Sequence, residues 1–119
     1  MEASQLPNYS FEDRPWGSFE RFTLNEPTTV KILTLKAGES TSLQTHTTRR
    51  EFWRILSGRG AVLIGDMHQE AIAGNAFMVP QGAVHRLEGG AEGMSLIEIA
   101  FGHFDENDIT RIEDKYHRV

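Results

Sequence analysis

The sequence predicts a small all-β protein, a sandwich or barrel built from short strands. Candidate strands of five to eight residues recur along the chain, and Gly, Pro, Asn or Ser bounds each of them. Helical periodicity is weak throughout, whereas short strands at fairly even spacing are typical of sandwiches and barrels. The 119 residues suffice for one domain with a single adequate core.

Eight segments carry the strand pattern, and polar or turn-forming residues separate them. Residues 1–13 are polar and patternless, so we expect a flexible arm or an edge strand donated to a partner. We expect Gly58 and Gly60 to flank a tight turn, and Gly65-Asp66 to mark another. The acidic tail from Asp105 to Tyr116 is expected to form a short helix or to lie across the barrel. In chain order, the predicted strands are residues 16–22, 30–36, 41–46, 51–57, 60–65, 76–80, 84–88 and 94–101.

Composition narrows the classes of function. The net charge is −5 and no basic run occurs, which argues against nucleic acid as a partner because phosphate backbones are bound through clustered Lys and Arg. The chain has no cysteine, so neither a disulfide nor a thiolate metal site is expected. The first ten residues lack the basic start and apolar run of a signal peptide, and no segment approaches the roughly 20 apolar residues that span a bilayer. We therefore expect a cytoplasmic protein without a membrane partner.

Four side chains predict a metal site. Gln44 and His46 are two residues apart and would project from the same face of a strand. Glu51 opens the next strand, and His85 follows the turn Pro80-Gln81-Gly82. Any one of them alone is more often a packed or surface residue, but two imidazoles, a carboxylate and an amide oxygen together suit a borderline divalent ion. The other histidines match no such pattern and are expected at the surface: His68, His103 and His117.

The spacing of these residues resembles the two signature motifs of the cupin superfamily. The first stretch reads Gly-x5-Gln-x-His-x4-Glu-x6-Gly from Gly38 to Gly58, with Gln44 where the first motif usually has His. The second reads Gly-x5-Pro-x-Gly-x2-His from Gly74 to His85. The resemblance implies a cupin double-stranded β-helix, a jelly-roll barrel, over residues 14–119.

A narrower resemblance covers residues 14–118 and points to the type II phosphomannose isomerase domain. That family also has Gln at the position of Gln44, and it usually places this domain behind a mannose-1-phosphate guanylyltransferase domain, so guanylyl transfer is not expected of these residues. Phe52 and Gly89 depart from the family pattern, which usually has His and Asn there, and either could signal a changed substrate. The matching runs are Arg14-Pro15-Trp16-Gly17-Ser18-Phe19, Lys31 to Gly38, Ser42-Leu43-Gln44-x-His46, Arg49-x-Glu51-x-Trp53, Pro80-x-Gly82-x-x-His85-Arg86-Leu87-Glu88, and Asp108-Ile109-x-Arg111-x-Glu113-Asp114-Lys115-Tyr116.

Aldose–ketose isomerisation moves a proton between C2 and C1 through an enediol, and a divalent ion stabilises the enediolate. The candidate base is Glu98, which lies in the apolar run from Met94 to Ala100. A carboxylate there either makes a salt bridge at the sheet edge or sits in a cavity with a raised pKa and exchanges protons.

Binding of a sugar phosphate requires cations. Arg49 and Lys31 have the strand parity to point inward, and we group them with Glu98 as catalytic candidates. Arg14, Arg86 and Trp53 are the candidate substrate contacts, the last as a surface for a sugar face. The alternative for each cation is solvated surface charge, and for the tryptophan a place in the core or cavity wall.

The leading hypothesis is a metal-dependent isomerase acting between mannose 6-phosphate and fructose 6-phosphate. Zinc is the first choice for the ion, with Mn, Ni, Co or Fe as alternatives. The runner-up is an Fe(II) cupin oxygenase, and the third reading is a non-catalytic module that binds a sugar or nucleotide-sugar. A homodimer is also predicted, because the polar arm before Arg14 has no obvious partner within one small barrel.

Overall fold

The computed structural model describes residues 5–114, which form nine strands. The expectations for residues 1–4 and for His117 lie outside these described residues. The strands are β1 (Ser10–Arg14), β2 (Gly17–Arg21), β3 (Thr28–Leu35), β4 (Leu43–Thr45), β5 (Arg49–Ile64), β6 (Met67–Ile72), β7 (Ala76–Val79), β8 (His85–Gly102) and β9 (Thr110–Glu113).

Two long antiparallel strands, β5 and β8, organise the barrel. They pair with each other from Arg49↔Gly102 to Ile64↔His85. On its other side β5 pairs with β7 and then β6, while β8 pairs with β4 and then β3. Because each long strand changes partner along its length, the seven-stranded sheet bends around one core, and all pairings are antiparallel.

Strand alternation divides the apolar side chains between two faces. Trp53, Ile55 and Leu96 point inward and are almost fully buried, and the main core cluster forms around them. Phe52 and Ile99 point the other way, into a second cluster on the outside of the barrel sheet. Both faces of the first half of β5 and of the second half of β8 are therefore covered, which explains why buried residues there are consecutive rather than alternating.

Residues 5–13, where a flexible arm or a donated edge strand was expected, pack against the barrel of their own chain. Leu6 is only 3% exposed and belongs to the outer apolar cluster. Strands β1 and β2 form a hairpin, and after it the ring of Phe22 packs against Tyr9 and Phe52. Apolar side chains hidden among polar neighbours thus attach residues 5–13 to the barrel of the same chain.

The predicted turn at Gly58 and Gly60 is wrong, because β5 continues through both residues. The register between β5 and β8 shifts at this point, so the two glycines lie at irregularities in a continuous strand. A Cβ on Gly60 would lie only 2.0 Å from the carbonyl oxygen of Glu88. These glycines therefore permit close approach of two backbones rather than chain reversal. The predicted turn at Gly65-Asp66 is confirmed, with Gly65 at φ 58°.

The acidic tail closes one side of the barrel as a strand. Within the described residues 105–114 no helix forms, and β9 pairs with β4 through Gln44↔Arg111 and Thr45↔Thr110. Nowhere in residues 5–114 is there a helix with the length and apolar character that crossing a bilayer requires.

Candidate active site

A cavity of about 630 Å³ opens into the barrel and collects most of the predicted site residues. Its walls come from the inner faces of β3, β4, β5 and β8 and from the segment that precedes β9. Charged and polar side chains concentrate there, although the surrounding core is apolar. The polar lining residues include Lys31, Lys36, Glu39, Ser42, Gln44, His46, Arg49, Glu51, His85, Glu98, Glu106 and Arg111.

Three of the four predicted metal ligands converge at the buried end of this cavity. The ligand atoms of His46, Glu51 and His85 all lie within 4.8 Å of one another. Glu51 Oε2 is 3.5 Å from His46 Nε2, and Glu51 Oε1 is 3.8 Å from His85 Nε2. Ligands about 2.1 Å from a tetrahedral ion stand about 3.4 Å apart, so these separations suit one small divalent ion.

Hydrogen bonds on the far side of each imidazole prepare the two rings for ligation. His46 Nδ1 lies 2.7 Å from the carbonyl oxygen of Asp108, and His85 Nδ1 lies 2.9 Å from that of Ala83. A carbonyl only accepts, so each Nδ1 carries the proton and each Nε2 presents a lone pair to the centre. Trp53 Nε1 donates to Glu51 Oε1 at 3.2 Å and so orients the carboxylate. The donor set and its orientation therefore fit a metal.

Gln44, the fourth predicted ligand, lines the same cavity. It pairs directly with His85 across β4 and β8, which places the two side chains on one face. Its amide nitrogen lies 3.4 Å from the carbonyl oxygen of Ser42. The structure thus brings Gln44 beside the cluster, and ligation through its amide oxygen stays a prediction.

Glu98 lies inside the barrel, next to Glu51. Strand pairing aligns Lys31, Glu98 and Trp53 in one row across β3, β8 and β5. Glu98 is 7% exposed, and burial together with a hydrogen bond to Glu51 raises its pKa to about 8. Burial alone would raise the pKa of Glu51 too, but the hydrogen bonds from Glu98 and Arg49 and the nearby imidazoles lower it on balance. The two shifts make Glu98 the member of the pair that keeps its proton at neutral pH and Glu51 the ionised member.

The His85 imidazole stays neutral at ordinary pH, as a metal ligand must. Burial lowers its pKa, and this outweighs the opposing effects of its bond to Ala83 and of the Glu51 charge.

Arg49 and Lys31 both line the cavity and both contact the ring of Phe104. Arg49 Nε donates to Glu51 Oε2 at 2.9 Å, and its guanidinium carbon lies 4.3 Å from the ring centre of Phe104. Lys31 Nζ lies 4.5 Å from the same ring and 2.8 Å from Glu106 Oε1. Both side chains therefore point into the cavity, as strand alternation predicted.

Two predicted substrate contacts lie elsewhere. Arg14 is in the β1–β2 hairpin, where it bonds to Glu12 and covers the Phe19 ring. Arg86 alternates with the inward-facing His85 and Leu87, so it projects outward and donates to the carbonyl oxygen of Thr41. Neither lines the cavity, so the expectation that they touch substrate has no support from within this chain.

The structure places the remaining residues that the sequence analysis singled out either in packed surroundings or at the surface. Trp53 lines the cavity but is 1% exposed, and its contact with Glu51 suits an orienting role better than stacking on a sugar. Phe52 faces the outer apolar cluster, away from the cavity. Gly89 is packed so closely that a Cβ would meet the carbonyl oxygen of Lys36 at 2.7 Å. The outer histidines His68 and His103 are exposed, as predicted.

Sequence reasoning missed Ser42 and the anchoring role of Asp108. Ser42 is 2% exposed and lines the cavity, and no residue of the described chain hydrogen-bonds to its Oγ. Its parity with Gln44 and His46 was the available signal. The Asp108 carboxylate accepts bonds from the backbone and hydroxyl groups of Thr47 and Thr48, while its carbonyl holds His46. Asp108 is about 60 residues away from Thr47 and Thr48 in the sequence, so no local pattern could reveal that it lies beside the ligands.

Curated proteins with similar sequences are longer than this chain. Mannose-1-phosphate guanylyltransferase 2 of Escherichia coli O157:H7 is 37% identical over 105 residues, which cover 87% of this chain and 22% of that protein. The alginate biosynthesis protein AlgA of Pseudomonas aeruginosa is 34% identical over 118 residues, which cover 98% of this chain and 24% of AlgA. The chain thus spans less than a quarter of these relatives.

Solved structures and a family model agree with the architecture. The fold matches the capsular polysaccharide assembling protein CapF from Staphylococcus aureus with a TM-score of 0.63 at 24% identity, covering 88% of this chain and 32% of CapF. It matches oxalate decarboxylase from Bacillus subtilis with a TM-score of 0.67 at 22% identity, covering 73% of this chain and 24% of that one. A cupin-2 domain from Rhodospirillum rubrum gives 0.63 at 14% identity, covering 84% and 74%. The family described as mannose-6-phosphate isomerase C-terminal matches residues 3–114, so this chain is a cupin domain that belongs to that family.

Proposed function

We propose that this chain is a metal-dependent sugar-phosphate isomerase that interconverts mannose 6-phosphate and fructose 6-phosphate. The observation that carries the proposal is the placement of Glu98, a buried carboxyl with a pKa near 8, beside a three-ligand cluster in an open cavity. Membership of the mannose-6-phosphate isomerase C-terminal family supports the choice of a hexose phosphate as substrate. A carboxyl whose pKa lies near the working pH can both remove and return a proton, which enediol chemistry requires.

His46, Glu51 and His85 would hold the divalent ion, with Gln44 as the proposed fourth ligand. Zinc is the first choice for this nitrogen and oxygen donor set, and Mn, Ni, Co or Fe are the alternatives. When bound, the ion would polarise the sugar carbonyl and stabilise negative charge on the enediolate oxygens.

Glu98 is the proposed acid and base for the C1–C2 proton. Its hydrogen bond with Glu51 holds the carboxyl group next to the ligand cluster. Lys31 stands directly opposite it on β3, and its positive charge acts to lower the pKa of Glu98. The apolar core behind Glu98 keeps bulk water from that side, so proton exchange would occur through the cavity alone.

The phosphate group of the substrate would lie toward the Lys31 and Arg49 side of the cavity. Both cations contact the ring of Phe104, in the segment that precedes β9. Arg suits bidentate phosphate contact, and Lys supplies a mobile point charge. Lys31 is the more exposed of the two, with a third of its side-chain surface accessible, so it can reach a ligand without large rearrangement.

A coupled assay for fructose 6-phosphate formation from mannose 6-phosphate tests the proposal, run with Zn, Mn, Co, Ni and Fe(II) in turn. Glu98→Gln should abolish turnover while metal content persists, since the amide cannot exchange the proton. Glu88→Gln is the matched control, because Glu88 lies on the same strand but bonds to His68 on the outside. Full activity in Glu98→Gln would remove Glu98 from the acid–base role.

The wild-type result separates the competing functions. No turnover with any metal, combined with sugar-phosphate binding seen as a rise in Tm, would favour a binding module. Oxygen consumption with Fe(II) in place of isomerisation would favour an oxygenase.

A further inference from the structure

Arg49 uses the same ligand atoms that a divalent ion would need. Its Nε donates to Glu51 Oε2 at 2.9 Å, and its Nη2 lies 3.1 Å from His46 Nε2. Because His46 Nδ1 already carries the proton that bonds to the carbonyl oxygen of Asp108, Nε2 is the acceptor in this contact. The guanidinium therefore engages lone pairs on two of the three side chains that form the cluster.

These contacts cannot coexist with metal ligation in their present form. A zinc-sized ion binds imidazole nitrogen and carboxylate oxygen at about 2.0–2.2 Å, along the lone pairs. The His46 Nε2 atom has one lone pair, so it can accept from Arg49 or coordinate an ion, but not both. For His46 at least, the two partners are mutually exclusive.

Charge also opposes simultaneous occupancy. The Arg49 and Glu51 side chains are 7% and 2% exposed, and they form a buried pair with no net charge. A divalent ion would add two positive charges within a few ångströms of the guanidinium, where water screens little. Repulsion would be relieved if Arg49 turned away from Glu51.

A second set of contacts offers Arg49 a place in the same cavity. Its guanidinium lies over the Phe104 ring at 4.3 Å, and Nη1 is 3.4 Å from the carbonyl oxygen of Asp105. Neither partner belongs to the ligand cluster, so both contacts can persist when those with Glu51 and His46 are broken.

We propose that the Arg49 guanidinium and a divalent ion are alternative occupants of the His46–Glu51 pair, so that Arg49 is a built-in competitor that weakens metal binding and turns away when an ion binds. The inference concerns ion binding alone and does not depend on the isomerase function. Its test therefore uses no turnover measurement.

Metal affinity of an Arg49→Gln variant is the first test, measured by calorimetric titration of chelator-treated protein with zinc and with cobalt. We expect binding at least about tenfold tighter than wild type, because removal of a unit charge a few ångströms from a partly buried ion changes the constant by more than that factor. The matched control is Arg54→Gln, on the same strand, which loses a comparable pair with Glu20 on the outer face. The control should bind metal as wild type does.

The wild-type protein provides a second test that needs no variant to fold. The Nε–H signal of Arg49, followed by ¹H–¹⁵N NMR, should shift and exchange faster with solvent as one equivalent of zinc binds, while that of Arg54 stays unchanged. Unchanged or weaker metal binding in Arg49→Gln would overturn the proposal. So would an Arg49 signal that does not move while zinc binds stoichiometrically.

Discussion

Glu98 shows how position in the barrel sets the chemistry of one carboxyl group. Burial and the neighbouring Glu51 raise its pKa to about 8 from an ordinary value near 4.5. The folded protein therefore keeps a proton on Glu98 over a pH range in which the unfolded chain has lost it. Where the native state binds more protons, stability falls as pH rises.

We predict that chelator-treated wild-type protein loses stability between pH 5 and pH 8 more steeply than Glu98→Gln does. The raised pKa means that the stabilising proton is fully bound at the lower end of this window and is lost through about 8. Thermal melts at half-unit intervals would measure the difference in slope. Parallel curves for the two proteins would show that Glu98 is ionised throughout.

Asp108 acts on the site through position rather than contact with an ion. Its carboxylate accepts several hydrogen bonds from Thr47 and Thr48, and these bonds hold the pKa of Asp108 far below its usual range. The same residue places its carbonyl against His46 Nδ1. Loss of the side chain would therefore release both the loop and the orientation of an imidazole ligand.

We expect Asp108→Ala to weaken metal binding by about tenfold or more, the usual effect of losing a partner that orients a ligand. Calorimetric titration against wild type measures this, with His46→Ala as the reference for loss of a ligand itself. Asp66→Ala, in the exposed turn after β5, is the control and should bind metal normally. An affinity of Asp108→Ala equal to that of wild type would show that the backbone carbonyl of residue 108 orients His46 without help from the side chain.

The strands β5 and β8 come unusually close to each other at Gly60, where the register between them shifts. Gly60 has a backbone conformation open to other residues, but an added Cβ would lie 2.0 Å from the Glu88 carbonyl oxygen. Gly65 is the reverse case, with φ 58° and open space around the Cβ position. Sequence alone does not distinguish the two kinds of glycine.

We predict that Gly60→Ala lowers the free energy of unfolding by about 1–3 kcal/mol or more, as overpacking does. Gly65→Ala should lower it by about 1 kcal/mol, because it meets only the strain of positive φ. Urea denaturation of both variants provides the comparison. Equal losses would mean that the sheet relaxes around Gly60.

Alternation along each strand predicted which side chains face the inside of the barrel. It could not predict contacts between segments that are distant in the sequence. Alternation correctly placed Gln44, His46 and Glu51 toward one cavity, because parity is a property of the strand itself. The same parity turns Arg86 outward, although its neighbour His85 is in the site. Parity also turns Phe52 outward, but its burial there by Leu6 and Phe22, like the formation of β9 against β4, depends on distant segments that local propensity does not identify.

Within the described residues, strand β3 forms an edge of the barrel sheet and carries exposed apolar side chains. It pairs with β8 on one side, and no other strand within residues 5–114 pairs with it. Val30 and Ile32 project outward from it and are 54% and 66% exposed. Long edge strands with apolar side chains invite pairing with another chain.

We propose a homodimer formed along β3, and light scattering at micromolar concentration should give twice the 13.4 kDa chain mass. Ile32→Glu should shift the protein to monomer because it places a charge on the paired surface. The control Met67→Glu alters an exposed apolar residue on β6 and should stay dimeric. A wild-type mass of 13.4 kDa would contradict the proposal.

Enediol isomerisation at the proposed metal site of His46, Glu51 and His85 is tested most directly in deuterated water. Metal-loaded protein is incubated with mannose 6-phosphate in D₂O and followed by ¹H NMR. We predict fructose 6-phosphate with deuterium at C1, since Glu98 would exchange its proton through the solvent-connected cavity between the two transfer steps. Absence of fructose 6-phosphate with every divalent metal, together with an unchanged C2 proton on the substrate, would contradict it.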